Sequence, residues 1–458
     1  MVKTQAAMGT PEGERGAWSS RTGFILAAVG SAVGLGNIWR FPFSAAEGGG
    51  AAFIFIYLVL LLLIGLPIMF AELAIGRKAR LNPIGSFRKL TEGNRLWVGA
   101  GVLFVGVSLF IISWYSVIAG WVMRYAFGSV VGSYFDDPAG YFTDVQTGMD
   151  ALGYHIVVMV LTASALAIGV SKGIERVATI MMPILFTLAV FIAVYVGFLS
   201  GSGEGYSFMF APDFSEVDGS TVRSAAGQAL FSLSLGQGAI LTYASYLDKK
   251  ESLTTNGTII SIADTGVAIL GGLMVLPALA AFGLLTGENA QGGAGALFIG
   301  LANAFSNMGI AGYFVGTAFF VSLFFAAFTS AISLLEVSVS FVVDQWNVPR
   351  KKAALLMGLI AYSGGIIAAV DGEIMGFMSG SWTDAILILG ALLISIFVGY
   401  VMKDAIDELD RGGIRGVGRI TIAMTRTVVP IILIVLLVLA IKVEIVDQYF
   451  ASIDLFGW

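Results

Sequence analysis

Residues 30–42 read GSAVGLGNIWRFP, the middle of an apolar run that extends from about position 22 to 44. A helix of that length can span a bilayer. Gly34 and Gly36 sit near its centre, where each lowers helix propensity by about 1 kcal/mol relative to Ala. A break there exposes backbone N–H and C=O groups that hydrocarbon cannot satisfy, so a ligand or ion has to meet them. Small residues also permit close helix packing, and one such segment alone leaves both readings open. A second segment favours binding: residues 231–239, FSLSLGQGA, put Gly236 and Gly238 in the middle of another apolar run, flanked by Ser and Gln. The two segments lie five spans apart, an odd spacing that inverts one relative to the other. This predicts a 5+5 inverted repeat with the binding site between the two breaks. A phosphate cradle is disfavoured, because GLGNIW lacks the third glycine and follows no strand.

The rest of the chain fits a membrane setting. Of 458 residues, 57% are hydrophobic and only 12% charged, about half the charge of a soluble domain. The mean hydropathy is +0.89. A soluble enzyme is excluded, and an all-α polytopic membrane protein is expected. The net charge of -5 carries no polybasic block, which argues against nucleic acid as a partner. The absence of cysteine removes disulfides, thiolate metal sites and Cys nucleophiles. The single histidine, His155, reads as a surface or packing residue. Residues 1–20 lack the apolar core of a cleaved signal peptide, so the N-terminus is expected in the cytoplasm.

Apolar runs predict eleven spans near 22–44, 51–76, 98–127, 153–170, 177–200, 223–247, 258–285, 313–343, 353–370, 382–402 and 427–447. Residues 288–312 are too polar for a span and are expected to form an outer loop with a short helix at 294–306. Of 25 Lys and Arg, all but Arg40, Arg124, Arg223 and Lys442 fall on one side of this arrangement, while Asp136, Asp137, Asp144 and Asp150 share a loop on the other. Basic loops mark the cytoplasmic side, so an odd span count places the C-terminus outside. The expected units are a cytoplasmic N-terminal segment carrying an inner gate (1–21), the first five-helix repeat (22–200), the inverted second repeat (201–403), and an eleventh helix with the outer C-terminus (404–458).

The runs AVGLGNIWRFPFSAAEGGGAAF (32–53), FSLSLGQGAILTYASY (231–246) and FFAAFTSAIS (324–333) closely resemble the neurotransmitter:sodium symporter family, of the bacterial leucine-transporter type. The resemblance runs from Arg15 through nearly the whole chain, with eleven spans as in many bacterial members. It implies a leucine-transporter-like fold and symport of sodium with a neutral amino acid across a bacterial or archaeal cytoplasmic membrane. No obligate protein partner is implied. Two sodium sites carry over. The first takes the Ala32 carbonyl, Asn37, Ser232 and Asp264; a one-residue shift would put Ala263 in place of Asp264, but a carboxylate in an apolar span is expensive unless a cation offsets it, which favours Asp264 as ligand over a helix-paired or snorkelling side chain. The second takes the carbonyls of Gly30, Val33 and Ala326 and the hydroxyls of Thr329 and Ser330, which on their own would read as groups bonded back to the preceding turn. Asp264 would also supply the fixed negative charge for which animal relatives use chloride, so chloride independence is expected.

For the substrate, the resemblance implies that the freed N–H groups near Leu35 and Gly36 meet the carboxylate together with Tyr115. Carbonyls of Ala32, Phe231 and Ser232 accept from the ammonium. Ile111, Ser234, Gln237, Ser330 and Leu334 select the side chain. Gln237 departs from the apolar residue common at its position, and would face either a polar substrate group or a water or neighbouring backbone. The outer gate would use Phe231, Tyr115 and Arg40. The carboxylate usual for Arg40 falls around Phe377 to Ser379, leaving Asp371, Glu373 or Asp384 to substitute, or no pair at all. The inner gate would use Arg15, Trp18, Tyr243, Tyr246 and Asp344, with an Arg15–Asp344 latch. Glu72 is expected to brace the unwound part of the first span, or to be a satisfied structural carboxyl. An amino-acid-gated channel or transceptor is the alternative to symport, and no catalytic constellation suggests an enzyme.

Overall fold

The computed structural model describes residues 16–285 and 294–442. Among these every regular element is helical. The first predicted span is two helices, α1 (Arg21–Ala32) and α2 (Gly36–Glu47), bent by 50° at the break. Ser20 starts α1 by accepting from the Gly23 N–H, and the extended backbone of Val33 ends it. Next come α3 (Ala51–Ala79), the short α4 (Pro83–Leu90), α5 (Arg95–Val131), α6 (Pro138–Gln146), α7 (Gly148–Ile168), α8 (Val170–Gly197) and α9 (Ser202–Phe210).

The sixth predicted span is also broken, into α10 (Gly219–Ser232) and α11 (Ala239–Ala244). Asp218 caps α10. The Ser220 hydroxyl and the Thr221 N–H donate to its carboxylate and hold it down to about 2. Ser234, Gly236 and Gly238 between the two helices all have positive φ, which no continuous right-handed helix can contain. The chain continues through α12 (Leu253–Ala281), α13 (Ala294–Asn307), α14 (Ile310–Trp346), α15 (Arg350–Val370), α16 (Gly372–Val401) and α17 (Ala405–Asp410). The last described helices are α18 (Val417–Arg426) and α19 (Val428–Ile441), which together form one span.

Among the described residues nine helices are long and apolar enough to cross a membrane, or ten with the bent α1–α2 pair. The sixth of the eleven expected spans differs for a physical reason: its halves, of 14 and 6 residues, are each too short to cross alone. The tenth and eleventh helices start about ten residues earlier than expected, at Gly372 and Val417. The outer helix expected at 294–306 is α13; part of its loop, and the C-terminus expected outside, lie beyond the described residues.

The two 37-residue helices α5 and α14 pack most extensively, and α1, α2, α10 and α11 sit among them with α3 and α12. Gly271 on α12 shows how closely: a Cβ there would come within 2.4 Å of the Asn37 carbonyl oxygen. The outward faces of α7, α8, α15 and α19 carry exposed Val, Leu, Ile and Phe, as lipid-facing helices do. His155 is buried, its ring 4.7 Å from that of Tyr362, and is a packing residue.

Candidate functional site

The two breaks meet. Asn37 Oδ1 accepts from the Gly34 N–H at 2.9 Å, fixing the turn that follows α1. Its Nδ2 faces three oxygens, Ser232 Oγ at 2.9 Å, the Asp264 carbonyl at 3.0 Å and Asp264 Oδ1 at 2.7 Å. Ser232 in turn donates to Asp264 Oδ2 at 2.7 Å. All three side chains are buried, and among the described residues no Lys or Arg pairs with Asp264. Three oxygens thus converge on one amide nitrogen, and those oxygens, from Ser232 and Asp264, suit a hard cation, while Asn37 turns its own oxygen to the Gly34 N–H. Ala32, the fourth expected member, is the last residue of α1.

The second cluster joins the end of α1 to the middle of α14. Ser330 Oγ lies 3.4, 3.0 and 3.3 Å from the carbonyls of Gly30, Ser31 and Val33. Thr329 Oγ1 bonds back to the Phe325 and Ala326 carbonyls at 2.9 and 3.1 Å. A Cβ on Gly30 would sit 3.1 Å from that of Thr329. The five expected residues therefore share one place, with Ser31 added.

Between the clusters, the Leu35 N–H donates to the Tyr115 hydroxyl at 3.2 Å. A Cβ on Gly34 would lie 2.7 Å from Ser330 Oγ and 2.9 Å from the Tyr115 oxygen, and one on Gly36 would lie 2.9 Å from the Phe231 ring. These glycines let backbone and side chains crowd into the break. Leu35, Gly36, Tyr115 and Phe231 wall one part of a cavity of about 650 Å³ whose other walls include Arg40 and Asp384. Ile111, Ser234, Gln237, Ser330 and Leu334 are buried and lie outside that wall. Ser234 Oγ donates to the Ser31 carbonyl at 2.7 Å. The Gln237 carbonyl accepts from Ser108 at 2.8 Å, while its buried Oε1 has no partner among the described residues.

Of the carboxylates left open for Arg40, the structure selects Asp384. Nη1 meets Oδ1 at 2.8 Å and Nη2 meets Oδ2 at 2.5 Å, and the guanidinium carbon stands 5.4 Å from the Phe231 ring centre. Asp371 instead accepts from Glu373 and Ile374 N–H groups as a helix cap. At the other end of the bundle, Trp18 Nε1 donates to the Tyr243 carbonyl at 2.9 Å. The indole packs edge-on against Phe24, Tyr243 and Tyr246. Asp344 accepts from the Asn82 N–H and Nδ2 at 2.8 and 3.0 Å; its expected partner Arg15 lies outside the described residues.

One expectation is corrected. Glu72 braces the broken sixth span, not the first: Oε1 accepts from the Gly236 N–H at 2.7 Å and Oε2 from the Leu241 N–H at 3.2 Å. The first break is braced by Gln228, whose Nε2 donates to the Gly36 carbonyl at 2.8 Å. Two further carboxylates lie outside the expected site residues. Glu336 accepts from the Tyr246 hydroxyl and pairs with Arg350, both at 2.6 Å. Glu175 holds Ser19 through its N–H at 2.7 Å and its hydroxyl at 2.6 Å. A lone carboxylate inside an apolar run is a usable signal for Glu336; Glu175, at a loop edge, gives none.

A family model described as the sodium:neurotransmitter symporter family matches residues 15–137 and 139–453. An uncharacterised sodium-dependent transporter of Bacillus subtilis is 34% identical over 83% of this chain and 87% of its own length. One from Methanocaldococcus jannaschii is 38% identical over 75% and 72%. The human sodium-dependent neutral amino acid transporter that matches is 31% identical over 58% of this chain and 41% of its own. Among solved structures, MhsT in complex with L-phenylalanine superposes with a TM-score of 0.85 at 39% identity, covering 93% of this chain and all of that one.

Proposed function

Because the chain belongs to the sodium:neurotransmitter symporter family, a family of transporters and not of enzymes, we propose that it takes up a neutral amino acid with sodium by alternating access and without chloride. The observation that carries this reading is the junction of the two breaks through Asn37, Ser232 and Asp264. A cation placed among these residues would tie α2, α10 and α12 together, so that binding favours one arrangement of the bundle over another. The cluster of Gly30, Val33, Ala326, Thr329 and Ser330 offers carbonyl and hydroxyl oxygens to a second sodium.

The substrate carboxylate would meet the N–H groups at Leu35 and Gly36 and the Tyr115 hydroxyl, with its ammonium toward the carbonyls of Ala32, Phe231 and Ser232. The neutral amino acid class is supported by the names of the matched human relative and of the phenylalanine-bound structure. Arg40 and Asp384 close over Phe231 on one side, and Trp18 with Tyr243 and Tyr246 closes the other. Two closed barriers around one site support alternation over a continuous pore. The two halves, 22–200 and 201–403, act as the inverted repeats that rock about the site, in a bacterial or archaeal cytoplasmic membrane with the N-terminus inside and the C-terminus outside.

Uptake of radiolabelled amino acids into proteoliposomes tests this. Uptake should require an inward sodium gradient, and Thr329→Ala should weaken its sodium dependence; uptake indifferent to sodium would sink the reading.

A further inference from the structure

A second cavity, of about 510 Å³, is lined by Asp407, Asp410, Arg411, Arg415, Gly416 and Arg419. Three guanidiniums share this space with the exposed carboxylate of Asp407, which leaves the lining net positive. Asp410 is committed elsewhere: its carboxylate accepts from the Gly416 and Gly418 N–H groups at 3.2 and 2.8 Å and so caps the start of α18. Arg411 reaches Glu408 at 3.3 Å, and Glu408 also binds the fully buried Arg77 at 2.7 Å. Arg77 also donates to the carbonyls of Glu251 and Glu408, which fixes α17 against the ends of α3 and α12. The cavity therefore rests on a rigid floor at the end of the bundle where the basic loops converge. Arg415 and Arg419 are exposed, and among the described residues neither has an ion pair.

The neighbours of these two arginines say what kind of anion they meet. Ile414 and Ile420 are 69% and 61% exposed. Ile420 and Arg419 lie on the exposed side of α18, opposite its buried Gly418, Thr421, Ile422 and Thr425. The exposed apolar line continues along α19 through Ile431, Ile434 and Val438. A soluble phosphate would answer the cations and leave the isoleucines in water. A phospholipid answers both, with its phosphodiester on the guanidiniums and its acyl chains along Ile420 and α19. The geometry points to a headgroup site for an anionic phospholipid at Arg411, Arg415 and Arg419. It is distinct from the transport site and independent of which amino acid is carried.

The test compares retention of phosphatidylglycerol and phosphatidylcholine by the full chain in mixed nanodiscs, with bound lipids counted by native mass spectrometry. The native protein should retain phosphatidylglycerol preferentially. R415Q/R419Q should lose that preference by about twenty-five-fold, about fivefold per arginine. K351Q/K352Q, which removes two exposed cations outside the cavity, should change it by less than about twofold. An unchanged preference in R415Q/R419Q overturns the proposal, as does an equal loss in K351Q/K352Q, which would mean diffuse surface charge. Displacement of the lipid by an equal concentration of soluble glycerol phosphate also overturns it, in favour of a free anion. If the double variant does not purify as a folded monodisperse protein, R415Q and R419Q singly carry the test, each expected to lose about fivefold.

Discussion

Arg40 and Asp384 stand 344 positions apart in sequence and meet fork to fork, at 2.8 and 2.5 Å, over the ring of Phe231. The pair joins α2 to α16, one helix from each expected half. Asp384 is nearly buried and Arg40 about a quarter exposed, so the contact is better shielded than an ordinary surface pair. Asp384→Asn keeps the shape but loses one charge and one acceptor of the fork. Uptake should fall about tenfold, in line with the roughly 1–3 kcal/mol carried by a charged hydrogen bond, and bound substrate should leave faster. Equal uptake and equal release rates in Asp384→Asn would show that the pair does not close the site.

Glu72 gives both carboxylate oxygens to backbone N–H groups of the broken sixth span, at Gly236 and Leu241. Gln can accept through one oxygen only, so Glu72→Gln leaves one buried donor unsatisfied, at a cost of about 1–3 kcal/mol. Glu72→Ala leaves two. Thermal melting in detergent should therefore rank native above Glu72→Gln above Glu72→Ala. Identical melting of all three would mean that other groups or water satisfy these N–H groups.

At the opposite end Trp18 makes one hydrogen bond to the Tyr243 carbonyl and three aromatic edge contacts, the seal proposed for that side. Each aromatic contact is worth about 0.5–1.5 kcal/mol, enough for Trp18→Ala to raise an open population about tenfold or more. The chain has no cysteine, so a single thiol introduced at the buried Ala27 on α1 reports opening without background. Labelling of Ala27→Cys should speed up about tenfold in the Trp18→Ala background. An unchanged labelling rate would place the inner seal elsewhere, for instance on the Tyr246–Glu336–Arg350 chain.

The two breaks are legible in sequence because paired glycines weaken a helix where an apolar run should be strongest, and Asp264 because a carboxylate in such a run is costly. Pairings across the fold are less so. Asp371, Glu373 and Asp384 lie close together in sequence, and only the packing of α16 against α10, which brings Asp384 within reach of Arg40, selects Asp384. Glu72 is recognisable as a buried brace, but both breaks expose N–H groups, and sequence does not say which one α3 faces. Helix ends differ where polar residues resemble a loop: Arg419 and Arg426 fall on the exposed side of α18, so a helix continues where a hydropathy window stops.

Asp264 brings a buried carboxyl group to the junction of the breaks without a basic partner among the described residues. If sodium binds beside it, the carboxylate already balances part of the added charge, and no mobile anion is needed. Replacing external chloride with gluconate should therefore leave uptake by the native protein unchanged. Asp264→Asn keeps an oxygen donor but removes the charge, so its uptake should fall about tenfold or more in gluconate and recover in part when chloride returns. Three outcomes separate the roles of this residue. Chloride-dependent uptake by the native protein refutes charge balance by Asp264. Full activity of Asp264→Asn in gluconate removes the carboxylate from the mechanism. Inactivity in both anions, with melting unchanged, keeps Asp264 as a cation ligand whose charge an external anion cannot replace.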